Sequence, residues 1–148
     1  ASGNIHQTLK DLASKYEYVI ADTAGRDSRE LRTGMTVADV LISPARPSQY
    51  DLDTLPHLAE VYSQAKDLNP KLAGYLVLNL CPTNPVIKEV AAAQEFLADY
   101  PEFKLANTLV YDRKAYRDAI SEGKSVLEWT DAKAKHEIEA LVGEIING

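Results

Sequence analysis

Behind Asn4, residues Ile5, Leu9, Leu12 and Tyr16 recur at three- and four-residue intervals. That is the spacing of one helix face, and it predicts an amphipathic helix over residues 5 to 15 with Asn4 as its cap. The period then changes. Val19-Ile20-Ala21, Val40-Leu41-Ile42, Tyr75 to Leu80 and Thr108-Leu109-Val110 are short continuous apolar runs, the pattern of strands buried on both faces, which are usually parallel. Helical patterns lie between them: a short one near Arg29 to Val37, then Leu52, Leu55, Ala59 and Tyr62, then Val86, Val90, Ala93 and Leu97. Asp53 is a candidate cap for the second with Pro56 in its first turn, and Asn84-Pro85 is a cap followed by a first-turn proline. The last stripe, Ala134, Ile138, Leu141 and Ile145, predicts a helix entered through Thr130 or Asp131. Strand and helix alternate throughout, which predicts an α/β fold with a mostly parallel sheet covered by helices on both faces.

A chain of 148 residues that is 45% hydrophobic supports one core and one domain over residues 1 to 148. The apolar runs fall far short of the roughly 18 residues that a membrane span needs, so no membrane partner is expected. One cysteine, Cys81, excludes an internal disulfide framework and fits a reducing cytoplasm; it reads as a small buried hydrophobe. The three histidines, His6, His57 and His136, have no metal-site spacing among themselves or with Cys81. A net charge of −6 argues against a whole-surface attraction to nucleic acid and leaves only a local basic patch open.

Candidate chemistry concentrates where open α/β sheets place their ligands, beyond the carboxyl ends of the strands. Asp22, Ser43-Pro44, Asn79 and Tyr111-Asp112 fall at that edge. An aspartate directly after a hydrophobic strand can hold Mg²⁺ through water beside a nucleotide phosphate, or it can cap a turn. Asp22-Thr23-Ala24-Gly25 alone leaves both open. Tyr16, Tyr62 and Tyr100 sit on apolar helical stripes and read as core rather than as stacking platforms. No serine or cysteine has the setting of a catalytic nucleophile.

Residues 16 to 55, YEYVIADTAGRDSRELRTGMTVADVLISPARPSQYDLDTL, resemble the ParA/MinD superfamily of deviant-Walker-A ATPases, most closely the small ParA-type plasmid partition ATPases. In that family a Tyr-Asp-Tyr-hydrophobic-Asp strand carries the acidic Walker B residue and the next loop senses nucleotide. Tyr16-Glu17-Tyr18 leads here into Asp22, and Thr23 to Ser28 matches the loop. Ala38-Asp39, Pro44, Pro47-Ser48 and Asp51-Leu52 reproduce the family's next strand, its Pro-x-x-Pro-Ser segment and its helix start. The likeness continues more weakly through Leu78-Asn79, Arg113-Lys114-Ala115-Tyr116 and Gly123-Lys124-Ser125-Val126.

The resemblance implies a P-loop NTPase-like fold without its N-terminal strands, the C-terminal two-thirds of a partition ATPase. The family's Lys-Gly-Gly-x-Gly-Lys-Thr run does not occur in this sequence; Gly123-Lys124-Ser125 fails the P-loop spacing because position 118 is Asp118. By resemblance, Asp22 is the catalytic Walker B acid and holds Mg through water, and Thr23, Gly25 and Asn79 contact the nucleotide. Asn79 has a second reading, a strand-end residue bonding its own loop. ATP and Mg are expected in the complete protein and none on this stretch alone, which should be inactive by itself. Implied partners are a second copy as homodimer, a centromere-binding ParB-type adaptor and nonspecific DNA, in a cytoplasmic, nucleoid-associated protein acting in plasmid or chromosome partitioning. Arg113, Lys114 and Arg117, on one side of a helix, are the candidate DNA contacts, against an ordinary solvated helix face. The competing function is a non-catalytic interaction module that keeps the fold without nucleotide chemistry.

Overall fold

A computed structural model describes residues 3–24, 27–84 and 88–147. Strands β1 (Val40–Ala45), β2 (Ala73–Leu78) and β3 (Lys104–Leu105) form a three-stranded sheet in the order β1-β2-β3. The helices are α1 (His6–Ala13), α2 (Arg29–Met35), α3 (Gln49–Leu52), α4 (Leu55–Leu68), α5 (Glu89–Leu97), α6 (Lys114–Ser121) and α7 (Ala132–Asn147), so the chain is of the α/β class. The chain divides into two compact units: Ala1–Leu41 with Thr54–Gly74, and Ile42–Asp53 with Tyr75–Gly148.

The first unit is built on α1, α2 and α4. Asn4 Oδ1 accepts from the amide of His6 at 3.1 Å in a turn just ahead of α1, but the N-cap position is Ile5, which makes no side-chain cap bond, so the residue expected as the cap stands one position too early. A Cβ at Gly34 would lie 3.3 Å from Ile5 Cδ1, so the bare backbone of α2 admits the Ile5 side chain at close range. Ser28 Oγ caps α2 by accepting from Leu31 N at 3.1 Å. Asn69 closes the far end of α2, its Nδ2 donating to Met35 O at 2.9 Å and Ala38 O at 2.8 Å. In α4, Pro56 occupies the first turn as expected, behind Thr54 rather than Asp53, which ends α3.

Two expected strands differ. Residues 16 to 24 form no ladder among the described residues, and Tyr16, Tyr18 and Ile20 are 61%, 62% and 94% exposed. A strand exists by its neighbours' hydrogen bonds, and none of the described strands lies alongside this run. Tyr16 is therefore surface rather than core, whereas Tyr62 is buried and donates to Leu72 O at 3.0 Å. Pro85 and Val86 lie outside the described residues, and α5 begins at Glu89 behind Lys88.

In the second unit, β2 is buried from Gly74 to Leu78, while β1 carries exposed Ile42 and Pro44. Proline lacks the amide a central strand needs, which suits a strand at the end of the order. Strands β2 and β3 run parallel, with Tyr75 opposite Lys104 and Leu76 opposite Leu105. The expected strand at 108 to 110 is instead a bulged continuation. Ala106 N donates to Leu76 O, but the next bond to β2 is from Val110 N to Leu78 O, and pairing ends at a Cys81–Tyr111 bridge. The extra residues are held from the side, because Glu144 on α7 accepts from Asn107 N at 2.6 Å and Thr108 N at 3.0 Å.

Gly123-Lys124-Ser125 has a structural explanation. Gly123, at φ 67°, ends α6 with Gly123 N bonded to Ile120 O and Lys124 N to Ala119 O, a Schellman closure. Ser125 then starts a short 3₁₀ turn, Val126–Glu128, with the Glu128 carboxylate accepting from Ser125 N and Oγ, each at 3.0 Å. The sequence run that imitates a phosphate loop is a helix stop followed by a helix start.

Candidate functional site

In the first unit, Asp22, Thr23 and Ala24 line a cleft of about 460 Å³ with Ile5, Ile20, Glu30 and the α1 residues Leu9 and Leu12. Asp22 is exposed and its carboxylate has no hydrogen bond or ion pair among the described residues. Glu30, across the cleft, accepts from the amide of Gly3, which with its other hydrogen bonds holds its carboxyl below the usual range. Gly25 lies outside the described residues.

Just past that point the chain is tied down. Asp27 receives a two-pronged bond from Arg32, Nε at 2.6 Å and Nη2 at 2.7 Å, and His57 Nε2 stands 3.2 Å away. Arg32 also donates Nη1 to Gln64 at 2.8 Å. The Arg32 guanidinium keeps the Asp27 carboxyl ionised below the ordinary range. Sequence reasoning passed over Asp27 and Arg32; their signal was the five-residue spacing of opposite charges around a helix start.

Asn79 belongs to the second unit, at the end of β2. Its Oδ1 accepts from Leu80 N at 2.9 Å, and Leu80 carries a left-handed φ of 53°. That conformation is strained for a branched side chain by roughly 1 to 2 kcal/mol. The side chain therefore does bond its own loop, while its amide NH₂ has no partner among the described residues. Cys81 is buried, and burial first and the Glu137 charge second push its thiol up to about 11, so it behaves as a small hydrophobe.

The three candidate basic residues are brought to one end of α6, each with a carboxylate. Arg113 gives Nε at 2.7 Å and Nη2 at 2.5 Å to Glu137, the one charged side chain among the buried described residues. Glu137 also accepts from Tyr116 Oη at 3.0 Å and from Tyr111 N at 3.3 Å. Burial, then the Glu137 hydrogen bond, push the Tyr116 phenol well above its ordinary value. Lys114 pairs with Asp118 at 2.6 Å and Arg117 with Asp112 at 2.5 Å, both largely exposed. Surface pairs of that kind contribute little and exchange readily for other anions.

Comparison with known proteins adds the sequence relations. The family described as "MipZ: ATPase MipZ" matches residues 2–69. The chain is related to the ParA/MinD superfamily of ATPases. Among its relatives, a ParA family protein of Mycoplasma genitalium is 32% identical over 51% of this chain and 28% of its own length. A ParA family protein of Mycoplasma pneumoniae is 30% identical over the same shares. Maintenance of carboxysome distribution protein A of Halothiobacillus neapolitanus is 27% identical over 95% of this chain and 65% of its own length. The chain thus spans less than two thirds of each of these relatives. No helix among the described residues is long and apolar enough to cross a membrane.

Proposed function

We propose that the chain is part of a ParA-type ATPase that partitions or positions a cellular cargo. The observation that carries this reading is Asp22: an exposed carboxylate, unpartnered among the described residues, at the mouth of a cleft within the stretch that the ATPase family matches. Such a carboxylate fits the outer shell of hydrated Mg²⁺. No group of three or more His, Cys, Asp or Glu among the described residues could cage a metal, so nucleotide phosphates would have to hold the ion, with Asp22 anchoring it through water. Bound there, the ion would neutralise charge on the transferring phosphoryl group. Thr23 and Gly25 contribute to the nucleotide-facing loop, and Asn79, whose NH₂ has no partner among the described residues, contacts the base.

In the complete protein, ATP drives homodimerisation, a ParB-type adaptor stimulates hydrolysis, and nonspecific DNA is bound on the nucleoid. Lys114 and Arg117 contact phosphate by releasing their surface carboxylates, with Arg113 fixed beside them by Glu137. The test is Asp22→Asn in the complete protein. Turnover should fall at least about tenfold, a barrier increase of about 1.4 kcal/mol, with an unchanged circular dichroism spectrum; full turnover refutes the assignment. For DNA, replacing Lys114 and Arg117 together with Ala should flatten the salt dependence of binding by up to about two contacts per subunit, and an identical slope returns them to a solvated helix face.

A further inference from the structure

The second unit carries a cleft of about 710 Å³ lined by Pro82, Thr83 and Asn84, by the first turns of α5 and by residues of the segment 109–113. Three cations line it, Lys88, Lys133 and Arg113, the last paired with Glu137, and among the described residues no acidic side chain lines it. This runs against the composition around it, since residues 42–53 and 75–148 hold nine basic and fourteen acidic side chains, a net charge of −5. Neither Lys88 nor Lys133 has a side-chain ion pair among the described residues.

Both lysines also break a local rule. Lys88 is the N-cap of α5, without a side-chain cap bond, and Lys133 stands in the first turn of α7. The amino ends of helices disfavour cations by a few tenths of a kcal/mol or more. Arg113 is already committed to an orientation: Glu137 takes its Nε and Nη2, the guanidinium lies 5.1 Å from the Tyr111 ring centroid, and Nη1 has no partner among the described residues.

We infer that this cleft is a docking site for an acidic peptide segment of a partner protein, whose carboxylates meet Lys88, Arg113 and Lys133 while an apolar side chain rests on Leu109 and Val90. The shape selects this occupant. Lys88, Lys133, Thr83, Asn84 and Gln94 are all exposed, so the cleft is a shallow passage for a chain rather than a chamber that closes over a small molecule. The three cations of the cleft form an isolated patch, not the continuous track along which a long polyanion such as duplex DNA lies. A short acidic segment fits the isolated positive patch. Asp22 and its loop line the other cleft, in the first unit, and take no part in this one, and Asn79 is absent from its lining.

The test uses the 148-residue chain and a fluorescein-labelled peptide of about ten residues alternating Glu and Leu, followed by anisotropy at low salt. Saturable binding is expected. It should weaken as ionic strength rises from roughly 0.01 M to 0.15 M, where the Debye length contracts from about 30 Å to about 8 Å. Lys88→Glu and Lys133→Glu should each weaken it at least about fivefold and the double variant more than about tenfold, while Lys71→Glu, on the other unit, leaves it unchanged. Both cleft lysines are exposed, so the variants fold, and their thermal transitions verify it. Amide shifts at Thr83, Asn84, Gln94 and Lys133 should accompany binding. The inference is overturned if a Gln-Leu peptide binds equally, if pyrophosphate or a short DNA duplex shifts those amides and the acidic peptide does not, or if nothing binds.

Discussion

Tyr18-Val19-Ile20-Ala21 and Tyr75-Leu76-Val77-Leu78 are nearly interchangeable as sequence, each a tyrosine followed by aliphatic residues and ended by a polar one, Asp22 or Asn79. In the fold they are opposites. Tyr75 to Leu78 is the middle strand of the sheet, at 4% exposure or less throughout. Ile20 in the other run is 94% exposed, and its backbone has no ladder among the described residues. A continuous apolar run therefore states that a segment is suited to a buried strand; whether it becomes one is decided by which strands stand beside it. The strand-end residues follow the same division: among the described residues the Asp22 carboxylate has no partner, whereas Asn79 ends the paired run with half its side chain bound to the next amide.

The sharpest way to break this contrast is a matched pair of truncations. Leu76→Ala removes a side chain that is 1% exposed and should destabilise by about 3 kcal/mol in urea unfolding, whereas Ile20→Ala should stay within about 0.5 kcal/mol. Equal losses would show that the first run is packed in solution. A smaller effect, about 2 kcal/mol, is expected from Glu137→Gln, which leaves Arg113 without its buried counter-charge. Unchanged stability would mean that the strand end at Tyr111 holds its position without that carboxylate.

The smallest effect is one of pH. Burial opposes ionisation of Glu144, yet the hydrogen bonds from Asn107 and Thr108 win and hold its carboxyl below the ordinary range. A depressed carboxyl contributes stability that is fully present above the unfolded value of about 4.3 and is lost as pH falls through the folded one. Stability of the wild type should accordingly decline more steeply with acid below about pH 4.3 than that of Glu144→Gln. Parallel acid profiles would remove the carboxylate from the bulge.

Much of the fold was legible because local chemistry and tertiary role agreed. Asp131 acts as a cap as its residue type suggests, Pro56 sits in a first turn, and Tyr75 to Leu78 is the buried strand its composition describes. The failures are places where a neighbour decides. Val19 to Ala21 lacks one, and Thr108 to Val110 has one whose register slips by the residues that Glu144 holds. The carboxylates of α7 were legible in principle: Ala134, Glu137, Leu141 and Glu144 alternate by three and four along one face, so two charges occupy positions of the apolar stripe. A charge on a buried stripe signals a buried partner. At the candidate site, the residue types of Asp22 and Asn79 located the strand ends, but the Asp27–Arg32 tie and the cationic cleft depend on side chains brought together from separate elements.

The side-on grip of Glu144 on Asn107 and Thr108 has a consequence for hydrogen exchange. Those two amides are shielded by a helix carboxylate instead of a neighbouring strand, so their exchange is governed by release of α7 and not by opening of the sheet. They form a built-in gauge of the C-terminal helix: a process that loosens α7 unlocks Asn107 and Thr108 while the amide of Ala106, bonded to Leu76 O at 2.9 Å, stays slow.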